Sequence, residues 1–349
     1  MTLGAECRKS KLNFNHNVAE MNNRRRIILL ACSTVGLLLL VFWWAPMDKT
    51  LATIGLLRGR TLLLVLLISA LTNIGLYGER WHRTLKYVGI SAPFGYLMRL
   101  NAGTGPVRLL LPIQAGEIIT AAILGRRLDK PISTIVSTLF YNKYLSFAAT
   151  LLLALGGMIA GALATMHSAW VIASFAGGVT ILFFLLESKR VRQWILRLGE
   201  KIHPGLAQLS ARLLSTHARL TRGAKMLLLV YAFVFTILEV VTVWLIARDL
   251  GIGVSFVQLI VIVQLMVLVT NLPITMAGVG SREALSLVLL ARFATPEQAA
   301  AFGVLYSAVE YLWPLVAGLP FTSSVIVDAW RDFRWGKITL NDEASENES

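Results

Sequence analysis

The chain has 349 residues, of which 56% are apolar and only 15% charged, with a net charge of +14. That mix lies far from a soluble globular domain. The apolar runs do not alternate with period two, which excludes a β-barrel. The Lys and Arg residues cluster in loops beside apolar runs, which is positive-inside membrane topology rather than a nucleic-acid surface.

Residues 1–26 form a basic tail holding Arg8, Lys9, Lys11 and Arg24 to Arg26. The run 27–45 follows. It is long for a signal peptide and its end, Trp43-Trp44-Ala45-Pro46, has no small-residue cleavage pattern. It reads as a first transmembrane helix with the N-terminus in the cytosol, and Trp43 and Trp44 suit the outer interface. The second span, 61–77, returns the chain to cytosolic Arg80, Arg83 and Lys86.

Residues 88–130 are apolar but cut up by Arg99, Asn101, Pro106, Arg108, Pro112, Gly116 and Glu117. Both flanks are basic, which places them on one side of the membrane and favours a re-entrant hairpin over a full crossing. A long helix is expected over 132–160 and another span over 169–186. The loop 187–225 holds nine Lys/Arg against two acids, so it is expected in the cytosol. Trp194, Leu198, Leu206, Leu209 and Leu213 recur there at helical spacing, consistent with either a surface-bound amphipathic helix or a solvated connector.

Spans at 226–247 and 254–271 precede an interrupted stretch and a half-helix over 282–293. Thr295-Pro296-Glu297 reads as a helix start, with threonine as N-cap and proline in the first turn. The last apolar run reaches Val327, and residues 331–349 form a polar, flexible tail. The expected fold is all-α: a polytopic membrane protein of about 6–8 transmembrane helices, with one transmembrane domain over 27–330. Two re-entrant or broken helices, related as internal repeats, are expected within it.

Those two breaks carry the functional argument. The segment Leu272-Pro273-Ile274-Thr275-Met276-Ala277-Gly278-Val279-Gly280-Ser281-Arg282-Glu283 has a compressed counterpart in Leu111-Pro112-Ile113-Gln114-Ala115-Gly116-Glu117. Freed backbone groups are costly in lipid, so Pro112, Gly116 and Pro273 are expected to break helices at a site. Gly278, Gly280 and Ser281 would open a helix N-terminus whose N–H groups attract an anion. Arg282 adds a planar donor fork suited to phosphate. A lipid head-group phosphate is the natural anion at that depth. A packed helix kink is the plainer alternative for the glycines.

Further charges lie inside the spans: Glu239, Glu310 and Lys143, with Arg108 and Glu117 in the first break. Each costs roughly 2.5–3.5 kcal/mol at mid-membrane on insertion scales, so they are expected to pair or to line a wet cavity. Arg108 and Lys143 are expected to join Arg282 in binding phosphate. Glu117, Glu283, Glu239 and Glu310 are candidates for charge pairing or coupling. A structural salt bridge is the plainer reading of any one of them. Cys7 and Cys32 make no disulfide framework, the five histidines show no ligand spacing, and no cofactor or metal is expected.

With Pro112-x-x-x-Gly116-Glu117 and Leu272-Pro273-Ile274…Gly278-Val279-Gly280-x-Arg282-Glu283 in view, the chain resembles the flippase-like membrane domain of lysylphosphatidylglycerol synthases and their stand-alone relatives, over most of 27–330. The resemblance implies a helical fold with re-entrant elements and movement of lipids between leaflets. The implied substrates range from aminoacylated phospholipids to polyprenyl-phosphate-linked lipids. The chain departs from the family where Ile118, Ile119 and Thr120 replace an arginine after Gly-Glu, and where Tyr141-Asn142-Lys143 replaces an acid-arginine pair. No aminoacyl-transferase domain follows the spans, so the chain is expected not to be an enzyme.

The expected function is a lipid translocator of the cytoplasmic (inner) membrane. Two broken helices would meet near the midplane, with Glu117 and Glu283 pairing to Arg108, Lys143 or Arg282 when no lipid is bound. Rocking of the halves would then expose the site alternately. The rivals are an ion-coupled carrier of a small anion, and an accessory subunit or enzyme of lipid-linked glycan or lipid modification. The expected partners are a membrane lipid and a lipid-modifying enzyme, with no nucleic acid.

Overall fold

A computed structural model describes residues 29–106, 115–162, 216–271, 275 and 278–335. The described residues are helices joined by short turns, without strands. In chain order the helices are α1 (Leu29–Trp44), α2 (Met47–Ile54), α3 (Gly59–Ala70), α4 (Tyr77–Tyr87), α5 (Phe94–Gly103), α6 (Ala115–Leu128), α7 (Ile132–Ala162), α8 (Arg222–Asp249), α9 (Phe256–Thr270), α10 (Ser281–Leu289), α11 (Pro296–Ser307) and α12 (Trp313–Trp335).

Four continuous helical stretches are long and apolar enough to cross a bilayer: Gly59–Tyr87, Ile132–Ala160, Arg222–Asp249 and Pro296–Asp328. Helices α1 and α2 meet at an 85° bend and make a fifth if counted as one broken span. The bend falls at Pro46, which N-caps α2. Two expected features differ in the structure. Helix α9 has 15 residues, about 22 Å at 1.5 Å per residue, so 254–271 alone does not span about 30 Å of hydrocarbon. The span expected over 61–77 runs on, through a π-helical turn, to Tyr87. The span expected at 169–186 and most of the loop 187–225 lie outside the described residues.

The chain divides into two compact units. The first comprises Met1–Leu63 and Val243–Ala308, and the second Leu64–Thr242 and Val309–Ser349. In the first unit α10 packs on α11 and α9, and α11 packs on α2. Val41 of α1 and Ala45 in the bend just after it bury against Ala300 of α11, with Ala284 and Leu287 of α10 alongside. The start of α11 is as expected: Thr295 caps it with Pro296 in the first turn. The Gln298 side chain accepts from the Thr295 N–H at 2.9 Å and donates to the carbonyl of Leu250 at 2.8 Å.

In the second unit α5 packs on α12 and α4, while α7 packs on α6 and α4. Trp81, Leu85, Leu97, Leu100, Leu124 and Leu139 form its core. Helices α5 and α6, of 10 and 14 residues, are each too short to cross. Two π-helical turns, Leu71–Leu76 and Ala308–Leu312, interrupt the long stretches. A π turn breaks the regular i→i−4 ladder, and here side chains from elsewhere supply donors. Asn101 of α5 donates to the carbonyl of Asn73 at 2.8 Å, and Ser69 to the carbonyl of Val309 at 3.1 Å. Asp328 ends the last span between Arg99 (3.0 Å) and Arg127 (3.4 Å), and both guanidiniums lie on the Tyr96 ring.

Candidate functional site

In the first unit the interruption between α9 and α10 ends at Gly280. Its φ of +84° is left-handed backbone that suits glycine, as is that of Gly278 (+78°). A side chain at 280 would also press on α1, since a Cβ there would lie 3.0 Å from the Thr34 carbonyl oxygen and 3.3 Å from Leu37 Cβ. Gly280 is thus the N-cap of α10 yet offers no capping side chain. The Glu283 carboxylate takes that place and accepts from the Gly280 N–H at 2.6 Å. A negative group at a helix N-terminus is stabilised by both the free donors and the dipole.

Around this turn the polar groups are closed in. Ser281, Arg282 and Glu283 are 6%, 4% and 2% exposed. Ser281 Oγ donates to the Gly278 carbonyl at 2.9 Å and lies 3.1 Å from Thr275 Oγ1. The Arg282 guanidinium lies over the Tyr306 ring of α11, with Cζ 4.3 Å from the centroid, a cation–π contact that strengthens when desolvated. Gly303 allows that approach. A Cβ there would come within 2.6 Å of Ser286 Oγ and 2.8 Å of Glu283 Cα. Ser286 Oγ in turn bonds the carbonyls of Glu283 (2.6 Å) and Ala299 (2.7 Å), tying α10 to α11. Pro273 lies outside the described residues.

The second unit holds the other expected charges. Glu117, in the first turn of α6 beside buried Gly116, pairs with Lys143 of α7 at 2.8 Å, with their side chains 15% and 36% exposed. Glu239 stands half-buried in α8, and Glu310 half-buried within the second π turn. Arg108 and Pro112 lie outside the described residues.

The structure also brings together a group that the sequence reading left in cytosolic water. Arg80 is 1% exposed. Its Nε donates to Asn142 Oδ1 at 3.0 Å and its Nη2 to Ser146 Oγ at 2.7 Å. Asn142 is itself fixed, donating to the Thr138 carbonyl (2.9 Å) and Thr84 Oγ1 (3.2 Å). The missed signal was register. Tyr77, Arg80, Trp81 and Thr84 follow i, i+3, i+4, i+7, a single helix face, although hydropathy falls off after residue 77.

These features define a multi-pass helical membrane protein that keeps ionisable groups inside interrupted and kinked helices. The family model described as the lysylphosphatidylglycerol synthase TM region matches residues 27–318, and the chain belongs to that family. This is the family expected from the two Leu-Pro-Ile motifs. No curated protein matches the chain.

Proposed function

We propose that the chain moves a phosphate-bearing lipid, a phospholipid or a polyprenyl-phosphate-linked lipid, between the leaflets of the cytoplasmic membrane. The observation that carries this reading is the α10 N-terminus, where an anion, Glu283, already sits on the Gly280 N–H beside a buried arginine. A carboxylate is the chain's own stand-in for a phosphate oxygen: both are oxyanions that accept from backbone N–H and guanidinium donors. In this reading a head-group phosphate displaces the Glu283 carboxylate and takes the Gly280 N–H and Arg282 as donors. Once the lipid leaves, Glu283 returns, so the buried donors are not left unmade. Such exchange keeps the site from holding either anion too tightly. The basic N-terminal tail supports placing the N-terminus in the cytosol. No group-transfer chemistry is assigned to the chain.

The test is transbilayer movement of a fluorescent anionic phospholipid in vesicles containing the purified protein. Arg282→Ala and Glu283→Ala are each expected to slow movement by roughly tenfold or more, the scale of one lost charge-assisted hydrogen bond. Both should still elute as folded monodisperse protein. Wild-type rates in both variants reject the site, and equal protein-dependent movement of a neutral glycosyl-diacylglycerol, whose sugar head group keeps it from crossing unaided, rejects the substrate class.

A further inference from the structure

Arg80 poses a separate problem. A guanidinium stays charged at neutral pH, and burying it without a counter-ion is among the most costly burials in a protein. Its cage is neutral. Asn142 and Ser146 take Nε and Nη2, while Nη1 is buried with no hydrogen-bond partner among the described residues. Aromatic faces line it, with Cζ 5.4 Å from the Tyr77 ring centroid and 5.9 Å from that of Phe235. Among the described residues no carboxylate pairs with it. The cage is built rather than accidental, because Thr138 and Thr84 hold the Asn142 amide with its oxygen toward Nε. It is also closest to the surface at one edge. Ser146 is only half-buried, and Phe147 next to it is 43% exposed. One helical turn before Ser146 stands Lys143, on the same side of α7.

We propose that Arg80 is the centre of an oxyanion-binding site in the second unit, reached past Ser146, where a phosphate oxygen takes Nη1 and a second oxygen displaces Ser146 from Nη2. The two nitrogens present the parallel donor fork that phosphate accepts. The site is distinct from the α10 N-terminus and does not depend on lipid movement by the chain. A lipid head group and free inorganic phosphate present the same chemistry to it.

The experiment is thermal unfolding of the purified full-length protein, since a ligand that binds only the folded state raises the midpoint with concentration. One arm titrates inorganic phosphate in detergent at constant ionic strength. The other compares nanodiscs of phosphatidylcholine with nanodiscs containing increasing phosphatidylglycerol. The wild type is expected to be stabilised in at least one arm, and the arm that responds names the source of the oxyanion. Arg80→Gln is expected to lose the response. Asn142→Asp is the decisive variant, because it places a carboxylate against Nε. It loses the Nδ2 donors to Thr138 and Thr84, so its anion dependence rather than its basal midpoint is read, and that dependence should weaken by about tenfold or more. No response of the wild type in either arm overturns the proposal. So does an Asn142→Asp protein that keeps the full response.

Discussion

The two units solve the same problem, a charge inside a membrane helix, over different distances along the chain. In the first, Glu283 is satisfied by Gly280, three residues away, and the helix break supplies the donor. In the second, Arg80 is held through Nε and Nη2 by Asn142 and Ser146, which are 62 and 66 positions away on the unbroken helix α7. A local solution needs special backbone, which only certain residues tolerate. A long-range one needs only that two ordinary helix faces meet. The first should therefore fail when its glycines gain side chains, the second when a polar partner on the facing helix is removed.

The sharpest break of that contrast is Gly303→Val. The added atoms would collide with Ser286 Oγ and Glu283 Cα, forcing α11 off α10. Overpacking of this kind costs about 3 kcal/mol, and Arg282 would lose its seat on Tyr306. The expected outcome is a large fall in the unfolding midpoint together with loss of lipid movement. Gly303→Ala should fall between the two, and a Val variant as stable as wild type would show that the α10–α11 contact is loose.

This division also explains what could be read from residue order alone. Short-range features were visible there: the Leu-Pro-Ile motifs, the Thr295 cap with Pro296 after it, and the glycines that turn out to adopt positive φ. Each depends on neighbours within a few positions, so each leaves a local pattern. The extension of α4 to Tyr87 and the burial of Arg80 left only a faint one. Hydropathy averages over a window, and a face that mixes Arg80, Trp81 and Thr84 averages to polar. That Asn142 stands against Arg80 has no local trace at all, because nothing within α7 marks its partner. The shortness of α9 was hidden for a related reason: residues 254 and 255 are as apolar or as permissive as the helix they precede, and the helix start is set by the Ser255 cap to Gln258.

The middle-sized break is Asn142→Leu. It removes the acceptor on Arg80 Nε and the amide that links Thr138 to Thr84. Loss of a hydrogen bond to a charged group costs about 2 kcal/mol, read as a lowered midpoint in chemical or thermal unfolding. The α10 turn lies in the other unit, so lipid movement per folded molecule should be unchanged. A variant that unfolds normally but no longer moves lipid would show that the two charge sites are coupled, and the contrast between local and long-range solutions would then be structural only.

The smallest expected effect belongs to the Glu117–Lys143 pair, another long-range solution: Glu117 stands in the first turn of α6, and Lys143 reaches it from α7. Lys143 is eleven residues into a helix starting at Ile132, about 16 Å along its axis at 1.5 Å per residue, close to the middle of a bilayer about 30 Å thick. Its side chain is nevertheless 36% exposed, and its long stem allows the ammonium to reach toward a wetter level. Glu117→Gln is therefore expected to cost about 1 kcal/mol, near the upper end for an accessible pair, and Lys143→Met should restore most of that loss in the double variant. A loss near 3 kcal/mol, the insertion cost of a bare charge at mid-depth, would instead mean that lipid tails cover the exposed side of the pair and that Glu117 is its only relief. No loss at all would mean that water already reaches Lys143, which is what a hydrophilic path through the second unit requires.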